Sequence, residues 1–206
     1  MTLLSEHEYF FERLKFHKKI AAIKSPRHIE TAIKNKNSLS GVYLLTGSIT
    51  VIKSYVNVFK KENLPVFVHI EKIGGLSVDH EGMNYLAKSV MPTGIVTTKP
   101  NNIIHARKCG LLTIQRVFAI DSEVIENLVA KVDINKPHLV EIMPARVVEI
   151  ITLLKNEMNV PIISGGLIKE REHAVNSLKA GAVAISTSNV EVWKEDISGV
   201  VGSFQR

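Results

Sequence analysis

One cysteine, Cys109, stands among 206 residues. A lone thiol cannot close an internal disulfide, so no cystine framework carries this fold, and the count suits a reducing compartment. No apolar run approaches the ~20 residues a bilayer requires, which argues against a membrane span. The first residues, MTLLSEHEYFFERLKFHKK, carry Glu6, Glu8 and Glu12 and lack the charged-then-apolar layout of a secretory leader, so a cytoplasmic chain is expected. Aromatic residues make up 6% of the chain, with no aromatic pair or GXXG clamp of the kind RNA modules use. No P-loop, no GxSxG and no GxGxxG after the first apolar run is present. His7, His17, His28, His80, His105, His138 and His173 fall at no tight ligand spacing, so no transition-metal site is expected.

What the chain does have is core. Hydrophobic residues make up 45%, enough at this length for a single domain over 1–206. The formal net charge of +6 admits a phosphate-rich partner without requiring one. The stretch 160–189, VPIISGGLIKEREHAVNSLKAGAVAISTSN, organises the rest. Residues 161–164 form the short apolar run of a buried parallel strand, ending in Gly165-Gly166, where backbone amides can approach a ligand with no Cβ between. A helical pattern over 169–179 puts Ala174, Val175 and Leu178 inward and closes at Gly181. A second strand over 182–186 then runs into Thr187-Ser188-Asn189 and a short helix over 190–194.

The same alternation holds along the whole chain. Strands are expected at 20–23, 41–45, 65–70, 94–98, 112–116 and 138–142. Helices follow Ser25-Pro26, span 49–61 and 82–90, run from Lys99-Pro100 to Gly110, and span 123–132 behind an Asp121-Ser122 cap. Pro144 opens another, with Val147, Ile150, Ile151, Leu154 and Met158 on one stripe. Eight such units with parallel, right-handed crossovers predict an α/β fold, a (β/α)8 TIM-type barrel; the rival open sheet lacks its glycine fingerprint. An extra N-terminal helix over 6–16 begins at the capping box Ser5-Glu6-His7-Glu8 and has Phe10, Phe11 and Leu14 to bury. The sequence places it near the gap between the first and last strands, since little chain follows the last one.

Function in such a barrel gathers where strands end. Those ends supply Lys24, Thr46, His69, Glu71, Lys99, Arg116, Glu141, Gly165, Gly166, Thr187, Ser188 and Asn189. Gly165, Gly166, Thr187, Ser188 and Asn189 suit a phosphate seat built from two loops and a helix start. Lys24, Lys99 and Arg116 suit the same anion, while His69, Glu71 and Glu141 can accept hydrogen bonds from hydroxyls. Glu141 is costly to bury unpaired in its apolar strand, so it either binds something or is neutralised by Arg116 or Lys99. Basic groups at Lys15, Lys18 and Lys19, at Lys24 and Arg27, and at Lys53, Lys60 and Lys61 are the candidate nucleic-acid contacts. Read this far, the residues also fit a phosphosugar enzyme using Glu141 with His69 or Lys99, or a metal-dependent glycerophosphodiester phosphodiesterase using His69 and Glu71.

The segments VHIEKIGGL, GIVTTKPNNIIHARKCGLLTIQRVFAIDS, VEIMPA, PIISGGLI and AGAVAISTSNVEVWK resemble the glycerol-3-phosphate-responsive antiterminators, the glycerol uptake operon antiterminator regulatory proteins, over about 20–194. The resemblance implies a regulator without catalytic residues or cofactor that senses glycerol 3-phosphate and binds the leader mRNA of glycerol-catabolism genes. It implies that Gly165, Gly166, Thr187, Ser188 and Asn189 hold the phosphate while Lys99, Arg116, Glu141 and His69 complete the pocket. The loop 72–81, with two glycines, is the expected moving part. Self-association stays open.

Overall fold

The computed structural model describes residues 4–200. In chain order the elements are α1 (Glu6–His17), β1 (Lys19–Ile23), α2 (Ile29–Lys34), β2 (Gly41–Leu44), α3 (Ile52–Lys61), β3 (Val66–His69), α4 (His80–Tyr85), β4 (Gly94–Thr97) and α5 (Pro100–Lys108). They continue as β5 (Leu112–Phe118), α6 (Ser122–Asn135), β6 (Leu139–Met143), α7 (Val148–Glu157), β7 (Ile162–Gly165), α8 (Arg171–Lys179), β8 (Ala184–Thr187) and α9 (Val190–Lys194). All eight strands are parallel, and each pairs with the next in sequence order. β8 returns to β1 with Lys19 opposite Ile185 and Ala21 opposite Thr187, which closes the barrel.

The two-residue period of a strand divides the apolar residues between two cores. Ile20, Tyr43, Phe67, Val96, Ile114, Leu139, Ile163 and Ala184 pack together inside the barrel. Their neighbours Ala21, Val42, Val66 and Ile95 face outward and pack with Ile52, Val56 and Phe59 of α3. On the far side Val117, Val140 and Ile162 do the same with Leu128, Val132, Ile151 and Leu154 of α6 and α7.

α1 corrects the sequence reading. The closed barrel leaves no gap between β1 and β8, and α1 instead lies across the amino-terminal end of the barrel as a plug. Phe10 and Leu14 are fully buried in the inner cluster, with the Phe10 ring 4.6 Å from that of Phe67. The helix is held around the rim: Tyr9 Oη donates to the Asn63 carbonyl (3.2 Å), Thr93 Oγ1 to Glu6 Oε1 (2.7 Å), and Arg13 to the carbonyls of Lys36 and Leu39. Its capping box forms as expected, Ser5 accepting from the Glu8 amide.

Several boundaries move for local reasons. After Pro144, whose peptide bond with Met143 is cis, the Ala145 amide donates to the Gly165 carbonyl at 2.7 Å, so α7 starts only at Val148. α3 begins at Ile52, because Ile49 first pairs with Gly74 (2.8 Å). α8 begins at Arg171, since residues 166–170 belong to a loop. α4 passes into a π-helical turn over Leu86–Val90. No helix among the described residues is long and apolar enough to cross a membrane.

Two histidines at this end of the barrel set an acid limit. Thr113 donates its backbone N–H to His138 Nδ1 (3.1 Å), which requires a lone pair there and hence the neutral ring. Burial, reinforced by Arg107 and His7, lowers the His138 pKa to about 4, and burial with Arg13 and Lys19 lowers His17 likewise to about 4. Both pKa values lie below the unfolded value near 6.5, so their contribution is intact above that pH and is lost as the pH falls from about 6.5 through about 4. A melting series across that window is expected to show a falling Tm, with a shallower slope for His138→Gln.

Candidate functional site at the carboxyl end of the barrel

Two residues above the inner apolar layer, on the same inward face, the strands carry Arg116, Glu141, Gly165 and Ser186. Arg116 and Glu141 are paired residues of β5 and β6, and Gly165 and Ser186 of β7 and β8. Glu141 is 0% exposed and Arg116 5%. Arg116 Nε donates to Glu141 Oε2 (2.5 Å) and Ser186 Oγ donates to Oε1, so both carboxylate oxygens are held. The guanidinium also lies 5.9 Å from the Tyr43 ring centre. Burial pushes the Tyr43 hydroxyl pKa well up, Glu141 adds to the rise and Arg116 opposes it. A Cβ on Gly165 would stand 2.6 Å from both Glu141 Oε1 and Ser186 Oγ, so only glycine lets the carboxylate settle against β7.

This polar layer floors a cavity of about 400 Å³. Lys24, Arg116, Gly166, Thr187, Ser188 and Asn189 line it, together with Ala22, Leu45, Phe118, Met143, Leu167, Ile168, Lys169 and Ser186. The two glycine-bearing and hydroxyl-bearing loops do meet, and side chains staple them. Thr187 Oγ1 donates to the Ile168 carbonyl (2.9 Å) and Asn189 Nδ2 to the Lys169 carbonyl (2.6 Å). Asn189 Oδ1 accepts from the Glu191 amide and caps α9, while Trp193 Nε1 donates to the Thr187 carbonyl (2.8 Å). Thr187 and Asn189 thus shape the loops, and Gly166, Ser188, Lys24 and Lys169 remain to face a ligand.

The other candidates lie elsewhere. Glu141 and Gly165 sit beneath the cavity, not in its wall. His69 ends β3 and Glu71 follows in a 3-10 turn; they meet nonetheless, Nδ1 to Oε2 at 3.1 Å, without hydrogen-bond alignment. Thr97 Oγ1 and Asn102 Nδ2 donate to Glu71 Oε1, so that carboxylate is tied into its own network. Burial, the largest single contribution, acts to raise the Glu71 pKa, but the adjoining His69, the Thr97 hydroxyl and its own backbone amide together hold it low. Lys99 is exposed at the start of α5, and Thr46 is half-buried outside the cavity wall. The loop 72–81 contributes nothing to the cavity wall; Gly74 donates to the Gly47 carbonyl at 3.0 Å. Among the described residues no three His, Cys, Asp or Glu side chains converge to hold a metal ion.

The sequence reading missed Lys169, Phe118 and Leu167. Lys169 was assigned to a helix, Phe118 lies beyond the expected end of β5, and Leu167 has a left-handed backbone, φ 58°, that nothing in its residue type announces. Two lysines of the first basic group are also spent internally. Lys19 is 2% exposed and donates to the carbonyls of Trp193 (2.9 Å) and Glu195, and Lys18 donates to those of Ser198 and Val200.

A family model described as glycerol-3-phosphate responsive antiterminator matches residues 19–193. The chain belongs to this family. The antiterminator barrel is 30% identical over 174 residues to the uncharacterized protein YgcP of Escherichia coli K12, covering 84% of this chain and 90% of that one. It superposes on the glycerol uptake operon antiterminator regulatory protein of Listeria monocytogenes with a TM-score of 0.82, at 27% identity over 87% of this chain and 96% of the other. A glycerol uptake operon antiterminator-related protein of Thermotoga maritima gives 0.76, at 28% identity over 87% and 99%. The family is regulatory by description, and these two solved structures share the fold of this chain.

Proposed function

We propose that this antiterminator binds glycerol 3-phosphate in the carboxyl-end cavity and, in response, binds the leader mRNA of glycerol-catabolism genes. The observation that carries the reading is the composition of the cavity wall: three cations, Lys24, Arg116 and Lys169, around glycine and serine positions on two stapled loops. The phosphate sits between those cations and the Gly166 and Ser188 loops, and the short glycerol moiety lies toward Ala22, Leu45 and Met143 with Ser186 beside it. Both oxygens of Glu141 are engaged, which leaves it unsuited to proton transfer and supports an effector that is bound and released unchanged. No cofactor is needed for this role.

Calorimetry with glycerol 3-phosphate tests the site. Lys24→Ala and Lys169→Ala are each expected to weaken binding by about 1.5–3 kcal/mol, roughly 10- to 150-fold, as loss of a charge-assisted contact. Leader-RNA binding measured with and without effector, at two salt concentrations, is expected to respond to the effector and to fall steeply with salt. Turnover of small phosphosugars, or RNA binding indifferent to glycerol 3-phosphate, overturns the reading.

A further inference from the structure

Gln115 faces outward from β5, opposite in parity to Arg116, and is 5% exposed, yet its Oε1 has no hydrogen-bond partner in the protein. A buried amide oxygen normally finds a donor. It forms the floor of a second cleft, about 360 Å³, between the end of β5 and α6. Above it stand Asn127 and Lys131, one turn apart on α6, and Val124. The mouth is apolar and open: Phe118 is 51% exposed and Ile120 77%. Asp121, which caps α6, has Oδ1 committed to the Val124 amide.

We propose that this cleft receives one unpaired base of the RNA strand, an inference that rests on the antiterminator reading above. Phe118 offers the stacking face, Gln115 and Asn127 offer the acceptors and donors that read a base edge, and Lys131 meets the adjoining phosphate. The volume is that of a small-ligand cleft, about 300–1,000 Å³, and not of a groove for a duplex. Unpaired amide, aromatic face and cation together match a nucleotide. A second copy of a chain with net charge +6 would instead bring like charge toward Lys131. Phe118 and Arg116 are walls of both this cleft and the effector cavity. Effector and base therefore share two wall residues at the end of β5, a direct route for reciprocal coupling.

The test uses the full chain, a fluorescent 10-nucleotide single-stranded RNA of leader sequence and the matching duplex, with glycerol 3-phosphate calorimetry in parallel. The single strand is expected to bind more tightly than the duplex. Phe118→Ala is expected to weaken it roughly 5- to 150-fold, as for one lost base stack. Lys131→Ala is expected to reduce the salt slope by about 0.7, one phosphate contact on a single strand. Gln115→Leu removes an unpaired polar group and so is expected to keep or raise the melting temperature while weakening RNA by fivefold or more; loss of binding through unfolding would go the other way. Wild-type protein that binds RNA while Gln115→Leu and Lys131→Ala bind it within twofold sinks the cleft alone. Wild-type protein that binds no RNA sinks the antiterminator reading with it. A dimer dissolved by Ile120→Glu, with RNA binding intact, assigns the cleft to self-association and overturns the proposal.

Discussion

Arg116→Met is expected to lower the unfolding free energy by about 3–5 kcal/mol, the usual cost of removing one partner from a buried ion pair. For a chain of this length that is a fall in Tm of roughly 6–20 °C. The cost arises in what the substitution leaves behind, because Glu141 is 0% exposed and its Oε2 loses the donor 2.5 Å away. Ser186 still donates to Oε1, but a hydroxyl brings no compensating charge. The double variant Arg116→Met, Glu141→Leu removes both charges and is expected to recover most of the loss, since apolar replacements of whole buried pairs are often neutral. Effector binding behaves differently. Arg116 lines the cavity and Glu141 does not, so the double variant is expected to regain stability in a denaturation curve while its glycerol 3-phosphate affinity stays as low as that of the single variant. Recovery of both properties together would make the pair purely structural; recovery of neither would place the cost outside the pair.

The fate of Glu141 shows where sequence reasoning reaches and where it stops. That a carboxylate in LVEIM needs a partner follows from desolvation alone, and alternation fixes its inward face. The choice between Arg116 and Lys99 depends on the stagger of neighbouring strands, which puts Arg116 opposite Glu141 and leaves Lys99 exposed on a helix start. The loops around Gly166 and Ser188 were legible for a similar reason, since small residues at consecutive strand ends of a barrel face the same opening. α1 was half legible. Its pattern shows that Phe10 and Leu14 must be buried, but a stripe does not say against what, and the open end of a closed barrel supplies the answer. Lys169 and Phe118 escaped because α8 starts two residues later and β5 ends two residues later than expected, and boundaries are set by loop hydrogen bonds that local propensity does not encode. Lys18 and Lys19 look like a basic patch in one dimension; in three, they bind carbonyls of the chain's far end.

Gly165→Ala, a single added methyl, is expected to disturb the site by a different route. Its Cβ would stand 2.6 Å from Glu141 Oε1, 2.6 Å from Ser186 Oγ and 3.2 Å from Glu141 Cδ. The carboxylate cannot retreat freely, because Arg116 holds its other oxygen and the surrounding layer is buried. Relief must come from moving Glu141 with Arg116 or from pushing β7 outward, and overpacking of this kind costs about 1–3 kcal/mol, occasionally more. Either movement reaches the ligand. Shifting Arg116 moves a cation of the cavity wall, and shifting β7 disturbs the Gly165 carbonyl that accepts from Ala145 and, one residue on, the Gly166 turn. Glycerol 3-phosphate binding is therefore expected to fall more than stability does, by tenfold or more at a temperature where the variant is still folded, on the scale of about 1.4 kcal/mol per decade. Gly199→Ala is the matched control, since a Cβ there meets nothing within 4 Å, and it is expected to change neither quantity. Equal effector affinity in Gly165→Ala and wild type would show that the buried carboxylate layer does not position the cavity above it.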